Sequence, residues 1–244
     1  MENVTGYIHS VESAGTLDGP GVRRVLFLQG CPLACLYCHN PDARPFKCGV
    51  KTDSYTQLRD IARNANFLKT SGGGVTLSGG EPLSQPDFVK AIFEGCKQLG
   101  LHTALDTSGF PGRRADDQLL ELTDLVLLDI KHIRADQYKV LTGVDLQPTL
   151  DFAKRLAEIN KPVWLRYVLV PGYTNQLDDL AALADFIKPM KNIERVEILP
   201  FHNMGCYKWK ELGLDYKLED TPSPDPEEVE RAKQTFSKAG IPVY

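Results

Sequence analysis

The sequence predicts an α/β fold in which parallel strands are covered by outer helices. Along its 244 residues, short apolar stretches typical of strands alternate with stretches whose apolar residues have helical spacing. Repeated strand-then-helix units imply right-handed crossovers and a parallel sheet. Because eight such units close the common α/β barrel, the six found here predict a partial, TIM-like (β/α)6 barrel. A doubly wound open sheet is the alternative.

The predicted strands are short, rich in Val, Leu and Ile, and mostly apolar on both faces, as strands covered on both sides are. They are Val22–Gln29, Val75–Ser78, His102–Asp106, Leu125–Ile130, Val163–Val170 and Val196–Leu199. In either fold the working residues are expected at the carboxyl ends of these strands, where the loops converge.

The predicted helices lie between the strands. Tyr55–Leu68 has a helical apolar spacing with Ser54 as its expected N-cap, and Asp87–Leu99 stops at Gly100, a residue suited to the position after a helix. The other predicted helices are Asp116–Leu122, Thr149–Ile159, Gln176–Ile187 and Asp225–Ala239. There is no internal repeat or low-complexity tract, so we expect a single domain over residues 1–244.

Charge and hydropathy argue against two classes of partner. The formal net charge is −4, and no basic run stands out, so the sequence gives no electrostatic support for nucleic-acid binding. The amino terminus has neither the positive nor the apolar region of a signal peptide, and no apolar stretch approaches the ~20 residues of a membrane span. We therefore expect a cytoplasmic protein without a membrane partner.

Three of the six cysteines, Cys31, Cys35 and Cys38, crowd into eight residues directly after the first predicted strand. Thiolates at this spacing can wrap a loop around one [4Fe–4S] cube. Three protein ligands leave one of the four irons open, and an open coordination position is typical of catalytic metal sites. Cys48, Cys96 and Cys206 are scattered, and we expect them to be ordinary thiols.

Other interpretations of the cysteine segment stay open at this point. Cys35–His39 matches the C-x-x-C-H pattern of c-type haem attachment, but that chemistry belongs to exported proteins and leaves Cys31 without a role. A structural zinc ion with His39 as the fourth ligand would be tetrahedral. The thiols could also be reduced and inert.

Polar residues follow several predicted strands at the same expected edge of the sheet. A Gly-Gly-Glu-Pro turn needs glycine for backbone freedom whether or not it binds a ligand. Charged residues at strand ends favour a polar ligand, because an unpaired buried charge is costly, although the strands could simply reach the surface there. These residues are Gly79–Pro82, Asp106, Thr107, Asp129, Lys131 and His202.

The motifs together resemble a known family. C-x3-C-x2-C with an aromatic residue before the last cysteine resembles the signature of the radical S-adenosylmethionine (SAM) superfamily. Gly15–Arg23, followed by Phe27 and Gly30, resembles the start of the glycyl-radical-enzyme activases. Further matches to these activases are Ser71–Val75, Asp106–Phe110, Trp164–Val168, Val170–Gly172 and Leu199–His202. The matches run from about residue 6 to 218, and the ferredoxin-like insert of many activases is missing.

The resemblance implies a fold of the radical SAM type and a set of site residues. Cys31, Cys35 and Cys38 would hold one [4Fe–4S] cluster, and SAM would bind its open iron. By similarity, the SAM-binding residues are Tyr37, Cys38, His39, Gly79, Gly80, Glu81, Asp129, Ile130, Lys131 and His202. A monovalent-cation site for Na⁺ or K⁺ would consist of Asp106, Thr107, Leu127 and Asp129. Arg166 is the residue expected to grip a loop of the protein substrate.

The resemblance also implies a reaction. Reductive cleavage of SAM would yield methionine and a 5′-deoxyadenosyl radical, which would abstract hydrogen from a backbone glycine of pyruvate formate-lyase. The electron donor would be a reduced flavodoxin or ferredoxin. The alternatives are a radical SAM enzyme for a small molecule, similar to a queuosine-pathway synthase, an activase of another glycyl-radical enzyme, and a non-catalytic zinc- or cluster-bearing binding protein.

Overall fold

A computed structural model describes residues 2–244, and the strands there form one sheet. The strands are β1 (Thr5–Gly15), β2 (Arg23–Leu28), β3 (Val50–Asp53), β4 (Gly74–Gly79), β5 (His102–Thr107), β6 (Leu125–Asp129), β7 (Val163–Leu169) and β8 (Ile193–Pro200). Their order is β3-β1-β2-β4-β5-β6-β7-β8. The order ends at β3 and β8, so the sheet does not close on itself. The predicted α/β fold class, a partial barrel-type sheet, is confirmed.

All six predicted strands are present, with ends shifted by a few residues. β4 is parallel to β2 and to β5, and β8 is parallel to β7. The sequence did not reveal β1 and β3, which pair antiparallel at one end of the sheet. Most of their residues are at least partly exposed, so they lack the continuous apolar run that identified the others.

The helices follow the predicted pattern with three corrections. They are α1 (Ser54–Arg63), α2 (Ala65–Thr70), α3 (Pro86–Gln98), α4 (Asp117–Glu121), α5 (Ala135–Thr142), α6 (Gln147–Glu158), α7 (Leu177–Ile187), α8 (Cys206–Glu211) and α9 (Pro226–Lys238). The single helix predicted over Tyr55–Leu68 is two, broken at Asn64. Ser54 is not the N-cap, because the Asp53 carboxylate accepts from the Thr56 N–H instead. The third correction is the presence of α5 and α8, which the sequence did not indicate. Among residues 2–244, no helix is long and apolar enough to cross a membrane.

The chain divides into two compact units, each with its own buried residues. The first unit comprises residues 2–32, 43–107 and 111–127, and the second comprises residues 33–42, 108–110 and 128–244. The core of the first unit includes Leu26, Leu77 and Phe88. The core of the second includes Tyr167 and Phe236. Burial of such side chains is the main stabilising contribution within each unit.

Candidate active site

The first cysteine sits in the first unit, where the chain leaves β2. Gly30 has a φ of 99°, in the region that favours glycine, and this bend starts the cysteine loop. The Gly30 N–H donates to the Ala43 carbonyl over 2.7 Å, and the Cys31 N–H donates to the Arg44 carbonyl over 3.0 Å. The backbone of Cys31 is therefore held by a hydrogen bond to Arg44, a loop residue, and not by pairing within a helix or sheet.

The second and third cysteines lie in the second unit. The Ala34 N–H donates to Thr142 and the Leu36 N–H to Leu141, so the loop rests on the last turn of α5. The Cys38 N–H closes a turn onto the Cys35 carbonyl over 3.1 Å. These bonds satisfy backbone groups that the loop would otherwise leave unpaired.

The thiols suit an iron–sulfur cluster. None of the six cysteines forms a disulfide, and Cys31, Cys35 and Cys38 are all partly exposed. Cys96, in contrast, is fully buried, and burial raises the pKa of its thiol to about 12, which keeps it protonated. Among residues 2–244, no three His, Cys, Asp or Glu side chains converge on a point that could hold a single metal ion. The thiols of a cube bind different irons, so a cluster does not require such convergence.

A carboxylate and an ammonium group face each other at the end of β6. Lys131 Nζ lies 2.8 Å from Asp129 Oδ2, and both side chains are largely buried. Burial disfavours the charged ammonium, but the Asp129 carboxylate, Tyr37 and Cys35 together outweigh burial, so the pKa of Lys131 lies well above its usual value. The ion pair presents both signs of charge, which complements the amino and carboxylate groups of an amino acid.

Tyr37 supplies an unsatisfied polar atom to the same unit. Its side chain is buried, and its hydroxyl has no hydrogen-bond partner among the described residues. Lys131 Nζ lies 5.7 Å from the centre of the Tyr37 ring. Leaving a buried hydroxyl unpaired costs about 1–3 kcal/mol, so this atom fits a site whose ligand supplies the missing partner.

Two histidines of the second unit lie against each other. The ring centres of His39 and His202 are 4.3 Å apart, and His39 Nε2 lies 3.0 Å from the His202 carbonyl oxygen. Desolvation lowers the pKa of His39, and the nearby Lys131 and Lys208 also lower it. Because Nε2 donates to a carbonyl, only Nδ1 of His39 can accept a bond from a ligand.

The Gly-Gly-Glu-Pro turn of the first unit has a clear structural use. A Cβ on Gly79 would come within 2.2 Å of the Leu28 nitrogen, and one on Gly80 within 2.5 Å of the Gly30 carbonyl oxygen. Both glycines therefore let the turn press against β2 and the start of the cysteine loop. Glu81 is buried and accepts from Leu83 N–H over 3.1 Å and from Thr107 Oγ1 over 2.6 Å.

The remaining predicted residues have these surroundings. Asp106 Oδ2 accepts from Ser78 Oγ over 2.5 Å in the first unit. Leu127 is buried within β6, and the side chain of Ile130, directly after β6, is also buried. Arg166 is buried on β7, and its Nε lies 3.1 Å from Glu197 Oε2 on β8.

Comparison with known proteins decides the family. The Radical SAM superfamily profile matches residues 25–187. A pyruvate formate-lyase-activating enzyme of Staphylococcus aureus is 46% identical over 248 aligned positions, covering 98% of this chain and 98% of that protein. The chain belongs to the radical SAM superfamily, in the family of the pyruvate formate-lyase-activating enzymes.

Solved structures of the radical SAM superfamily show the same fold. A domain of a pyruvate-formate lyase-activating enzyme from Bacteroides vulgatus matches with a TM-score of 0.60 at 24% identity, over 71% of this chain and 98% of that one. A radical SAM methyltransferase from Sphaerobacter thermophilus matches with a TM-score of 0.67 at 14% identity, over 100% of this chain and 72% of that one.

Membership of the radical SAM superfamily settles the cofactors. The chain works with a [4Fe–4S] cluster and SAM, and the haem, structural-zinc and inert-thiol interpretations of the cysteine segment are set aside. The residues present fit this chemistry, since the loop offers three partly exposed thiols and Tyr37 offers an unpaired buried hydroxyl. Sequence reasoning missed two further residues, Trp209 and Glu197, which contact Cys38 and Arg166.

Proposed function

We propose that this protein is the activase of pyruvate formate-lyase. When the [4Fe–4S] cluster and SAM are bound and one electron is supplied, they provide a 5′-deoxyadenosyl radical that takes hydrogen from a backbone glycine of pyruvate formate-lyase and leaves a glycyl radical there. The likeness to a named activating enzyme over 98% of both chains carries this proposal. The likeness extends over nearly the whole of both chains and is not confined to a single motif.

We assign the cluster to Cys31, Cys35 and Cys38. The three thiols belong to one loop, outside any strand or helix, and hydrogen bonds of the main chain hold that loop in place. Irregular backbone of this kind lets thiolates separated by a few residues reach different irons. Cys48, Cys96 and Cys206 are not assigned to the cluster.

We assign the amino-acid end of SAM to the ion pair of Asp129 and Lys131 at the end of β6. Asp129 would accept from the amino group, while Lys131 and His202 suit the carboxylate or the ribose hydroxyls. Because the pair is already largely buried, it needs little desolvation when the ligand arrives. Tyr37, with its unpaired hydroxyl, would hydrogen-bond a polar atom of SAM and exclude water from the site.

The other SAM contacts follow from the family resemblance. The side chain of His39, through Nδ1, and the backbone around Cys38 and Ile130 are assigned to SAM. Gly79, Gly80 and Glu81 are assigned through their backbone, because the Glu81 carboxylate is occupied by Leu83 and Thr107. A Na⁺ or K⁺ ion is assigned to the set Asp106, Thr107, Leu127 and Asp129.

We assign Arg166 to the loop of pyruvate formate-lyase that carries the glycine. Glu197 Oε2 accepts from the Arg166 Nε–H and so orients the guanidinium, a group whose N–H donors suit the carbonyl groups of a peptide. A reduced flavodoxin or ferredoxin would supply the electron, and the cytoplasm would be the compartment.

The function is tested by electron paramagnetic resonance under anaerobic conditions. Iron-reconstituted protein is mixed with photoreduced 5-deazariboflavin, SAM and pyruvate formate-lyase. A glycyl-radical signal that needs SAM and is lost in Cys31→Ala supports the proposal. SAM cleavage without that signal would instead support another glycyl-radical enzyme or a small molecule as substrate, to be tested next with a ketoacid formate-lyase paralogue.

A further inference from the structure

The reaction of the proposed function consumes one electron for each SAM that is cleaved, and that electron must enter from an outside donor. The entry point should lie where a partner can approach a cluster ligand closely. One surface of the first unit meets this condition. It is the segment of residues 44–51, here called the basic loop, which follows the cysteine segment and includes the first two residues of β3.

The basic loop is joined directly to the first cluster cysteine. The Arg44 carbonyl accepts the Cys31 N–H over 3.0 Å. The Phe46 ring lies against Gly30, the preceding residue, where an added Cβ would come within 2.7 Å of the ring. Phe46 is nevertheless 55% exposed. A partner that covers Phe46 would therefore lie beside Gly30, the residue that precedes Cys31.

The charge of the basic loop is positive and uncompensated. Arg44, Lys47 and Lys51 lie in the loop, which has no acidic residue. A hollow of about 260 Å³ beside Phe46 is lined by a further cation, Arg114, and by one acidic residue, Asp87. Within residues 2–244, none of the four cations forms an ion pair with a carboxylate. An acidic partner would meet charges that are free to pair with it.

The backbone of the loop is held in a costly conformation at its tip. Lys47 has a φ of 61°, which residues other than glycine seldom adopt. Glycine would take this conformation without penalty, yet a lysine occupies it beside an exposed phenylalanine. Strain kept at an exposed tip points to a use for the side chains that it presents.

A second exposed apolar surface, in the second unit, has the wrong charge for an acidic donor. Met204, Tyr207, Leu212 and Leu214 are exposed there. Residues 203–221 carry three lysines and four acidic residues. Each lysine is already paired, Lys208 with Asp42, Lys210 with Glu219 and Lys217 with Asp215. The basic loop is therefore the better match.

We propose that the basic loop and Phe46 form the docking surface for an acidic one-electron donor protein. The donor is reduced while it is free, binds over Phe46, passes one electron to the oxidised cluster and leaves in its oxidised form. This inference rests on the proposed function, because only a reductive cleavage of SAM requires such a donor. Electrostatic attraction would raise the rate of encounter and make that rate depend on salt.

The test compares two double variants that change the net charge equally. Arg44→Glu/Lys47→Glu reverses the charge at two positions of the basic loop, and Lys154→Glu/Lys238→Glu reverses the charge of two exposed lysines, one on α6 and one at the end of α9. Cluster-loaded proteins are mixed anaerobically with reduced flavodoxin, an acidic protein, and reduction is followed by the visible absorbance of the cluster. The same proteins are also reduced by photoreduced 5-deazariboflavin, which is uncharged.

We expect the basic-loop variant to be reduced by flavodoxin about tenfold more slowly at low salt, a gap that closes at high salt. The control variant and every reduction by deazaflavin should match the wild type. Equal rates in both double variants would overturn the proposal. Equal slowing with deazaflavin would also overturn it, because the loop would then act on the cluster itself. A failure of the proposed function would appear separately, as a missing glycyl radical in the wild type with deazaflavin.

Discussion

The indole N–H of Trp209 donates to the main-chain carbonyl of Cys38 over 2.8 Å, across 171 positions of sequence. Trp209 is buried on α8 and packs 5.3 Å from the Tyr216 ring, measured between centres. Lys208, its neighbour, contacts Asn40 and Asp42 just beyond the cysteine turn. A short helix near the carboxyl end of the chain therefore fixes the last cysteine of the cluster loop.

Trp209→Phe should loosen this loop without emptying the aromatic cluster. The Cys38 carbonyl loses a donor in a largely buried setting, so the free energy of unfolding should fall by about 1–2 kcal/mol. The cluster should also be lost faster to a chelator. Urea unfolding and the decay of cluster absorbance measure the two effects. Trp164→Phe is the matched control, since that indole donates to an exposed carboxylate, Glu194, and its loss should cost little.

Asp129→Asn should weaken SAM binding while the cluster still assembles. The substitution keeps the shape of the side chain but removes the charge that holds Lys131. We expect at least a tenfold loss of affinity, equivalent to about 1.4 kcal/mol, by anaerobic calorimetry with cluster-loaded protein. Asp136→Asn, at an exposed carboxylate paired with Arg134, is the control. Unchanged SAM affinity in Asp129→Asn would remove this carboxylate from the site.

Cys35→Ala should prevent assembly of a stable cube and leave SAM uncleaved, because one iron loses its ligand. Iron and sulfide analysis with the visible absorbance checks the first effect, and chromatography of 5′-deoxyadenosine checks the second. Cys48→Ala, at an exposed cysteine of the basic loop, should behave as the wild type in both assays. Near-normal SAM cleavage by Cys35→Ala would refute the cluster assignment.

The buried thiol of Cys96 should make the free energy of unfolding of the cluster-free protein depend on pH. Burial raises the pKa of its thiol to about 12, so above the ordinary thiol pKa the folded state binds more protons than the unfolded state. Stability contributed by this group is present below that ordinary pKa and is lost as the pH rises toward the folded value. Between pH 9 and 11 the wild type should lose about 2–3 kcal/mol more than Cys96→Ala, from urea unfolding at each pH. Parallel pH profiles would contradict the burial argument.

Arg166→Ala should separate partner binding from SAM chemistry. Glycyl-radical formation on pyruvate formate-lyase should fall about tenfold or more, while SAM cleavage without partner stays near the wild-type rate. Glu197 keeps its contact with Arg195, so its carboxylate is not left without a cation. Arg231→Ala, at an exposed arginine on α9, is the control. Equal losses of both reactions in Arg166→Ala would place this residue at the SAM site instead.

The elements that the sequence revealed are those with a strong local signal. β6 is apolar and buried over its first four residues, and α3 shows a helical spacing that ends before Gly100, whose φ is 65°. Such signals arise from burial on both faces of a strand or on one face of a helix. The cysteine spacing was readable for the same reason, since thiols on one short loop report their chemistry locally.

The features that the sequence did not reveal depend on contacts far along the chain. Only Trp209 of α8 is buried, and α5 buries only Tyr138, Leu141 and Thr142, so neither helix has enough apolar positions for a period to be seen. The partners of Trp209 and Arg166 are set by packing and by strand register. The tight approach of Gly79 and Gly80 to β2 likewise became visible only in the fold.

In the proposed reaction hydrogen leaves a backbone glycine of pyruvate formate-lyase, and an isotope label on that glycine follows the transfer. Pyruvate formate-lyase is prepared with α-deuterated glycine and activated by the cluster-loaded protein with SAM and photoreduced 5-deazariboflavin. We expect 5′-deoxyadenosine, analysed by mass spectrometry, to carry one deuterium, in an amount that matches the glycyl-radical signal. Cleavage of SAM to 5′-deoxyadenosine that carries no deuterium would contradict the proposed reaction.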